Sequence, residues 1–241
     1  MQVINDLLEY NNMKIIQDSE MFAFSLDSIL LPNFITINKS VKNIMDIGCG
    51  NGPIPLILST KTSAKIIGVE YQKEIAQMAQ ESVKLNQCDK QITIINDDIN
   101  DYYKKIESDS FDIITCNPPY FKVNEKSKKN QSKYKTIARH EVKLNIADVC
   151  RVSKKLLKNG GILGIVHRPE RLIDIIETMK IYNLEPKKIQ FIYPSSIKKA
   201  NIMLIEAVKN GKPGIKIMPP IYSHNSNGEY SEEIKNFFKA R

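Results

Sequence analysis

No stretch of the 241-residue chain is apolar for long enough to cross a bilayer, which takes about 20 consecutive apolar residues. The opening "MQVINDLLEY" has no basic region followed by an apolar one, so no secretory leader is expected. Cysteine is scarce and scattered. Cys49, Cys88, Cys116 and Cys150 form no Cys-x-x-Cys pair, and the three histidines supply no matching ligands. That spacing argues against a metal site and against a disulfide framework, and it points to a reducing, cytoplasmic setting. There is no internal repeat, and nothing implies an oligomer. What is present suits one sizeable domain with small additions: 42% of residues are hydrophobic, enough for a continuous core. The formal net charge is +8 in a chain rich in Lys, Ile and Asn, so basicity alone says little about a partner.

Read along the chain, "VKNIMDIG" (41–48) is an apolar run ending in Asp and Gly, as a buried parallel strand does. "GPIPLILST" follows as a short helix with Pro53 in its first turn. "AKIIGVE" (64–70), "QITIIND" (91–97), "SFDIITC" (110–116) and "ILGIVH" (162–167) read as further strands. Helices are expected over 72–86, over about 145–158 with Gly160-Gly161 as the stop, and from "RPERLIDIIETMKIYN". "KKIQFIYP" and "ANIMLIEAVK" close a count of seven strands between 41 and 209, the last two successive, so that one can run antiparallel. This alternation predicts an α/β fold: a Rossmann-like, mostly parallel seven-stranded sheet with helices on both faces. Two short strands and a helix are expected ahead of it, and a tail with a short helix after it. The divisions are 1–40, 41–210 and 211–241.

The loop "DIGCGNGP" (46–53) joins the first strand to its helix, where open α/β sheets bind ligands. Gly48, Gly50 and Asn51 stand in it. Gly52-Pro53 breaks the dinucleotide spacing Gly-x-Gly-x-x-Gly, which disfavours a nicotinamide oxidoreductase. Asp46 ahead of the glycines suits an ammonium group better than a pyrophosphate. Glu70 ends the second strand, where an acid can hold both ribose hydroxyls. Asp97 and Asp98 end the third, where one can accept from an adenine amino group while Ile99 packs on the ring; strand register favours Asp98. An ammonium, a ribose and an adenine together describe S-adenosylmethionine.

The fourth strand then runs into "CNPPYFK". Neither helix nor central strand tolerates two prolines in succession. As a rigid corner, however, it has a use. An exocyclic amine conjugated to a planar ring has a delocalised lone pair, and two fixed acceptors can draw its nitrogen toward a tetrahedral shape. The Asn117 side-chain oxygen and the Pro118 carbonyl supply them, Pro119 stiffens the turn, Tyr120 stacks on the ring, and Phe121 extends the platform. In this reading the Tyr120 ring matters more than its hydroxyl.

"DIGCGNG", "GVE" and "NPPY" at these strand ends resemble the class I S-adenosylmethionine-dependent amino-methyltransferases. That pattern by itself leaves a tRNA, rRNA or DNA base and a protein glutamine as alternatives, beside an RNA-binding relative without turnover. "FSLDSILLPNF", "ARHE", "GGILGIVHRPERL", "EPKKIQFIYP" and "ANIMLIEAVKNGKPGIKIMPP" are similar to the bacterial tRNA1(Val) (adenine-37-N6)-methyltransferase family over nearly the whole chain. The resemblance implies N6-methylation of adenine 37 beside the anticodon. It also implies that Asp46, Gly48, Glu70, Asp98 and Asn117 lie at the cofactor and that Ser25 and Asp27 cover its methionine end. A glutamine methyltransferase is expected to carry a protein-binding domain ahead of the sheet, and only residues 1–40 stand there.

Between Lys122 and Lys143 stand seven lysines and one arginine against Glu125 and Glu141, so this segment holds +6 of the chain's +8. It follows the corner directly, and a phosphate backbone is its natural ligand. Lys126, Lys128, Lys129, Lys133 and Arg139 are the candidate contacts. His140 reads equally as a substrate contact and as a hydrogen-bonded structural residue. Arg168 and Arg171 in "HRPER", and Lys198 and Lys199, add positive charge near the same rim.

Overall fold

In the computed structural model, residues 2–7, 12–18, 25–118, 120 and 144–239 are described. The chain begins with an antiparallel pair, β1 (Gln2–Asp6) and β2 (Lys14–Asp18). This pair stands outside the main sheet, and side chains satisfy β2's backbone. The Ile16 N–H donates to Ser82 Oγ (3.0 Å), the Lys14 N–H donates to Asn86 Oδ1 (2.9 Å), and the Ile16 carbonyl accepts from Asn51 Nδ2 (2.8 Å). Helix α1 (Leu26–Phe34) follows and is buried along most of its length.

The expected alternation then appears: β3 (Asn43–Ile47), α2 (Pro53–Ser59), β4 (Lys65–Glu70), α3 (Lys73–Leu85), β5 (Ile92–Asn96), α4 (Ile99–Tyr102) and β6 (Phe111–Cys116). After it come α5 (Ile146–Leu156), β7 (Leu157–His167), α6 (Leu172–Ile181), β8 (Leu184–Tyr193) and β9 (Ile202–Lys209). The sheet order is β8-β9-β7-β6-β3-β4-β5, extended beyond β8 by short C-terminal strands. Strands β3 to β7 are mutually parallel where they pair, and β9 is antiparallel to both β7 and β8. The chain therefore moves outward from β3 through β4 to β5, then returns to place β6 on β3's other side. The switch point lies between β3 and β6, so the glycine loop and the Asn117 corner open side by side.

Period-two alternation builds a core on each face. Ile44, Ile66 and Ile113 meet Leu30, Leu56 and Ile57 on one side. Met45, Ile47 and Ile114 meet Val149, Val152 and Met179 on the other. Asp46 and Thr115 are register partners on the first of these faces.

Two expectations need correction. Gly160-Gly161 does not end a helix. Helix α5 stops at Leu156 because Leu157 turns extended (φ −67°, ψ 139°) to pair with Phe111, and the glycines lie in a bulge inside β7 with Gly160 at φ +78°. The start of that helix is set by a capping box, in which the Asn145 side chain accepts from the Asp148 N–H at 2.9 Å. Nor is the C-terminal segment only a tail. The strands β10 (Lys216–Ile217) and β11 (Ile221–Tyr222) pair parallel to β8, and α7 (Glu232–Phe237) buries Ile234 in the first core. Among the described residues no helix is long and apolar enough to cross a membrane.

Candidate active site

The glycine loop leaves β3 with three left-handed residues: Gly48 (φ +67°), Gly50 (φ +56°) and Gly52 (φ +94°). A side chain at any of them would be strained. At Gly50 an added Cβ would meet nothing within 4 Å, so this backbone faces open space. Underneath, Gly68 in β4 makes room for the loop: a Cβ there would lie 2.8 Å from Cys49 Sγ. Glu70 holds the loop from the side. Its carboxylate accepts the Gly50 N–H at 3.1 Å and the Gln72 N–H at 2.9 Å. Burial raises the Glu70 pKa, against the lowering effect of those N–H groups.

Asp46 is wholly buried. Oδ1 accepts from Thr115 Oγ1 at 2.6 Å, but Oδ2 has no hydrogen-bond partner. Burial raises its pKa to about 8, opposed by the Thr115 bond and assisted by the Glu70 charge. A dry carboxylate oxygen without a donor is costly unless a cation or strong donor meets it. An ammonium is such a group, so this loop fits a ligand carrying one.

One strand away, the corner after β6 is tied to α1. The Tyr120 hydroxyl donates to Asp27 Oδ2 at 2.5 Å and to Asn117 Oδ1 at 2.8 Å in two competing geometries. Asn117 Nδ2 donates to Ser28 Oγ at 3.3 Å. Burial, then the Asp27 charge, pushes the Tyr120 hydroxyl well above its ordinary pKa. Its ring has His167 at 5.2 Å between centroids and the Arg168 guanidinium carbon 4.8 Å from its centroid. With its amide nitrogen engaged by Ser28, Asn117 keeps its oxygen as the acceptor on the other side. The Asn-Pro-x-Tyr corner thus stands one strand from an orphaned carboxylate. The methyltransferase small domain matches residues 12–180 of this chain.

The chain belongs to the methyltransferase small domain family. A protein of Parabacteroides distasonis named tRNA1(Val) (adenine(37)-N6)-methyltransferase is 24% identical over 237 residues, covering 97% of this chain and 98% of its own. One of the same name from Flavobacterium psychrophilum is 22% identical over 236 residues, covering 96% and 99%. Among solved structures, a predicted O-methyltransferase from Agrobacterium tumefaciens superposes with a TM-score of 0.69 at 19% identity, covering 89% of this chain and 98% of that one. Geranyl diphosphate C-methyltransferase from Streptomyces coelicolor gives 0.57 at 12% identity, covering 76% and 79%. At such identities these two structures show the fold, a class I methyltransferase sheet.

The structure brings Asp46, Gly48, Gly50, Glu70, Asn117, Pro118 and Tyr120 to the carboxyl ends of β3, β4 and β6. Asp27 joins them from α1, while Ser25 is that helix's N-cap without a side-chain capping bond. Asn51 serves the scaffold as well, since its amide holds β2 through the Ile16 carbonyl. Asp98 caps α4 by accepting the Asn100 N–H, and Asp97 pairs with Lys105 at 2.8 Å. Ile99 is buried in the second core. Arg168 covers the Tyr120 ring and donates to the Asn201 carbonyl at 2.6 Å. Pro119, Phe121, Lys126, Lys128, Lys129, Lys133, Arg139 and His140 lie outside the described residues.

Sequence reasoning missed Ser28, Thr115, Gly68 and His167. Thr115 was legible in principle as the residue beside Asp46 on an adjacent strand. His167 is fully buried, and its Nδ1 accepts the Arg168 N–H at 2.8 Å. Burial, then the Arg171 charge, lowers its pKa to about 4, so it is neutral at physiological pH.

Proposed function

We propose that this protein methylates N6 of an adenine in the anticodon loop of tRNA(Val), at position 37, with S-adenosylmethionine as donor. The observation that carries the reading is the Asn117–Pro118–Tyr120 corner beside the unpartnered oxygen of Asp46. The names of the full-length relatives support the substrate.

Asp46 Oδ2 receives the cofactor's ammonium, and Glu70 holds the ribose while anchoring the Gly50 N–H. Asp98, or Asp97, meets the adenine amino group, and Ile99 supports the ring. Ser25 and Asp27, within the extension 1–40, cover the methionine end of a site built on 41–210, with 211–241 completing the sheet edge. The bound cofactor supplies an electrophilic methyl group, which the target amine takes as its excess proton passes to solvent. Asn117 Oδ1 and the Pro118 carbonyl accept the two N–H groups of that amine and favour a tetrahedral nitrogen. Tyr120 carries the base on its ring, and its hydroxyl holds the Asn117 amide or rests on Asp27. The lysines of 122–143 take tRNA phosphates. Such a substrate places the protein in the cytoplasm.

The test is incubation with methyl-labelled cofactor and either total tRNA or total protein, followed by nucleoside mass spectrometry. Label in tRNA as N6-methyladenosine is expected. Label confined to protein would sink the reading.

A further inference from the structure

Beyond the corner, the same end of the sheet carries a second set of residues. Along β8, Ile192 enters the first core and Phe191 packs against the second, so Tyr193 shares the face of Phe191. On β11, Ile221 enters the first core, and Tyr222 stands in register with Tyr193 on the same face. Their ring centroids are 5.8 Å apart, and Tyr222 is 41% exposed. His167 lies opposite Met203, which lies opposite Phe191, so the Tyr120 contact and the tyrosine pair sit above one row of the sheet.

Arg168 joins the two sets. Its guanidinium lies over Tyr120 and donates to the carbonyl of Asn201, whose own N–H donates to the Ile192 carbonyl beside Tyr193. The turn between β8 and β9, at this same end, exposes Lys198 and Lys199 and leaves Ile197 92% exposed. From 187 to 228 the chain has seven lysines and a single acid, Glu206. That acid is buried and paired with Lys188 at 3.0 Å. The turn therefore presents positive charge and apolar surface with no carboxylate of its own.

We propose that this edge is a stacking ledge for single-stranded RNA flanking the target base, with Tyr193 and Tyr222 as its aromatic platform and Lys198 and Lys199 as its phosphate contacts. The proposal rests on the RNA reading above and says where the neighbouring nucleotides go. Four strand spacings separate β6 from β11, about 19 Å at about 4.8 Å each. That is roughly the rise of five or six stacked nucleotides at about 3.4 Å each, and fewer if the strand is extended. The ledge is thus within reach of nucleotides a few positions from a flipped adenine in a loop. Tyrosine rings with lysines beside them form a sequence-tolerant grip, because every base offers a π-face.

The test uses the full chain and an anticodon stem-loop oligonucleotide carrying 2-aminopurine in turn at each position flanking the target. With wild type, fluorescence at one or more positions is quenched on binding. Tyr222→Ala loses that quenching and raises KM for the oligonucleotide about tenfold, as loss of one base stack implies, while cofactor affinity is unmoved. Tyr222→Phe keeps both. Ile197→Glu, at a side chain that the fold leaves in solvent, also raises KM. Replacing Lys198 and Lys199 by Ser lowers the salt slope of binding by about 1.5. Wild-type KM and quenching in Tyr222→Ala would overturn the ledge while leaving the methylation reading intact. A wild-type enzyme that labels protein and no RNA would overturn both.

Discussion

The unpartnered oxygen of Asp46 makes cofactor binding a proton-coupled event. Burial raises the Asp46 pKa to about 8, so without cofactor this carboxyl is mostly protonated at pH 7. An ammonium requires the carboxylate, so binding expels the proton. The apparent Kd for S-adenosylmethionine should then rise as pH falls below about 8, by at most about tenfold per unit. Calorimetry at pH 7 in buffers of different ionisation enthalpy should show net proton release on cofactor binding. Asp46→Asn should bind weakly and lose the pH dependence. Stability carries the same sign. The folded pKa lies above the ordinary 3.8, so Asp46's contribution is full below pH 3.8 and is lost as pH rises through about 8. Melting temperature without cofactor should therefore decline over that window from this group, and cofactor should offset the decline most at its alkaline end. Affinity that is flat from pH 6 to 8, with no buffer-dependent heat, would refute Asp46 as the ammonium's receptor.

Other outcomes test neighbouring parts of the site. Asn117→Ala should lower kcat by on the order of a hundredfold with a smaller effect on cofactor affinity. Tyr120→Phe should lose several-fold in kcat, because the hydroxyl bonded to Asp27 and Asn117 goes, and Tyr120→Ala more, because the ring goes too; equal losses in single-turnover assays would refute separate roles. Gly68→Ala should weaken cofactor binding by pushing Cys49 and the glycine loop outward, which titration calorimetry would read, and unchanged affinity would show that the loop yields freely. Replacing Lys126, Lys128, Lys129 and Lys133 by Ser should reduce the log–log salt slope of tRNA binding by about three; an unchanged slope would mean that they do not touch phosphates.

The seven strands from 41 to 209 were legible because each buried run ends in, or within two residues of, an acid, a glycine or a proline. The acids at strand ends were legible for the same reason. What escaped depended on partners far away in sequence. Gly160-Gly161 looks like a helix stop locally, but the pairing of Leu157 with Phe111 ends the helix earlier. The strands β10 and β11 have two residues each, too few for periodicity, and exist through pairing with β8. Asn51 was read only from its place in the glycine loop, and its additional bond to β2 was not legible there. The Tyr120 hydroxyl was ranked below its ring because its partner Asp27 lies 93 residues earlier.

That separation bears on how the protein becomes competent. The bonds from α1 to the corner close loops of 89 and 93 residues, and such closure carries a large entropic cost before any contact repays it. Ile29, Leu30 and Leu31 on the same helix complete the first core, so one docking event seals the apolar interior and orients Asn117. A chain with its sheet and second core formed but α1 undocked would show nearly full secondary structure by circular dichroism and yet no turnover. During denaturation, enzymatic activity would disappear ahead of the ellipticity signal, and after refolding it would be the last property to return.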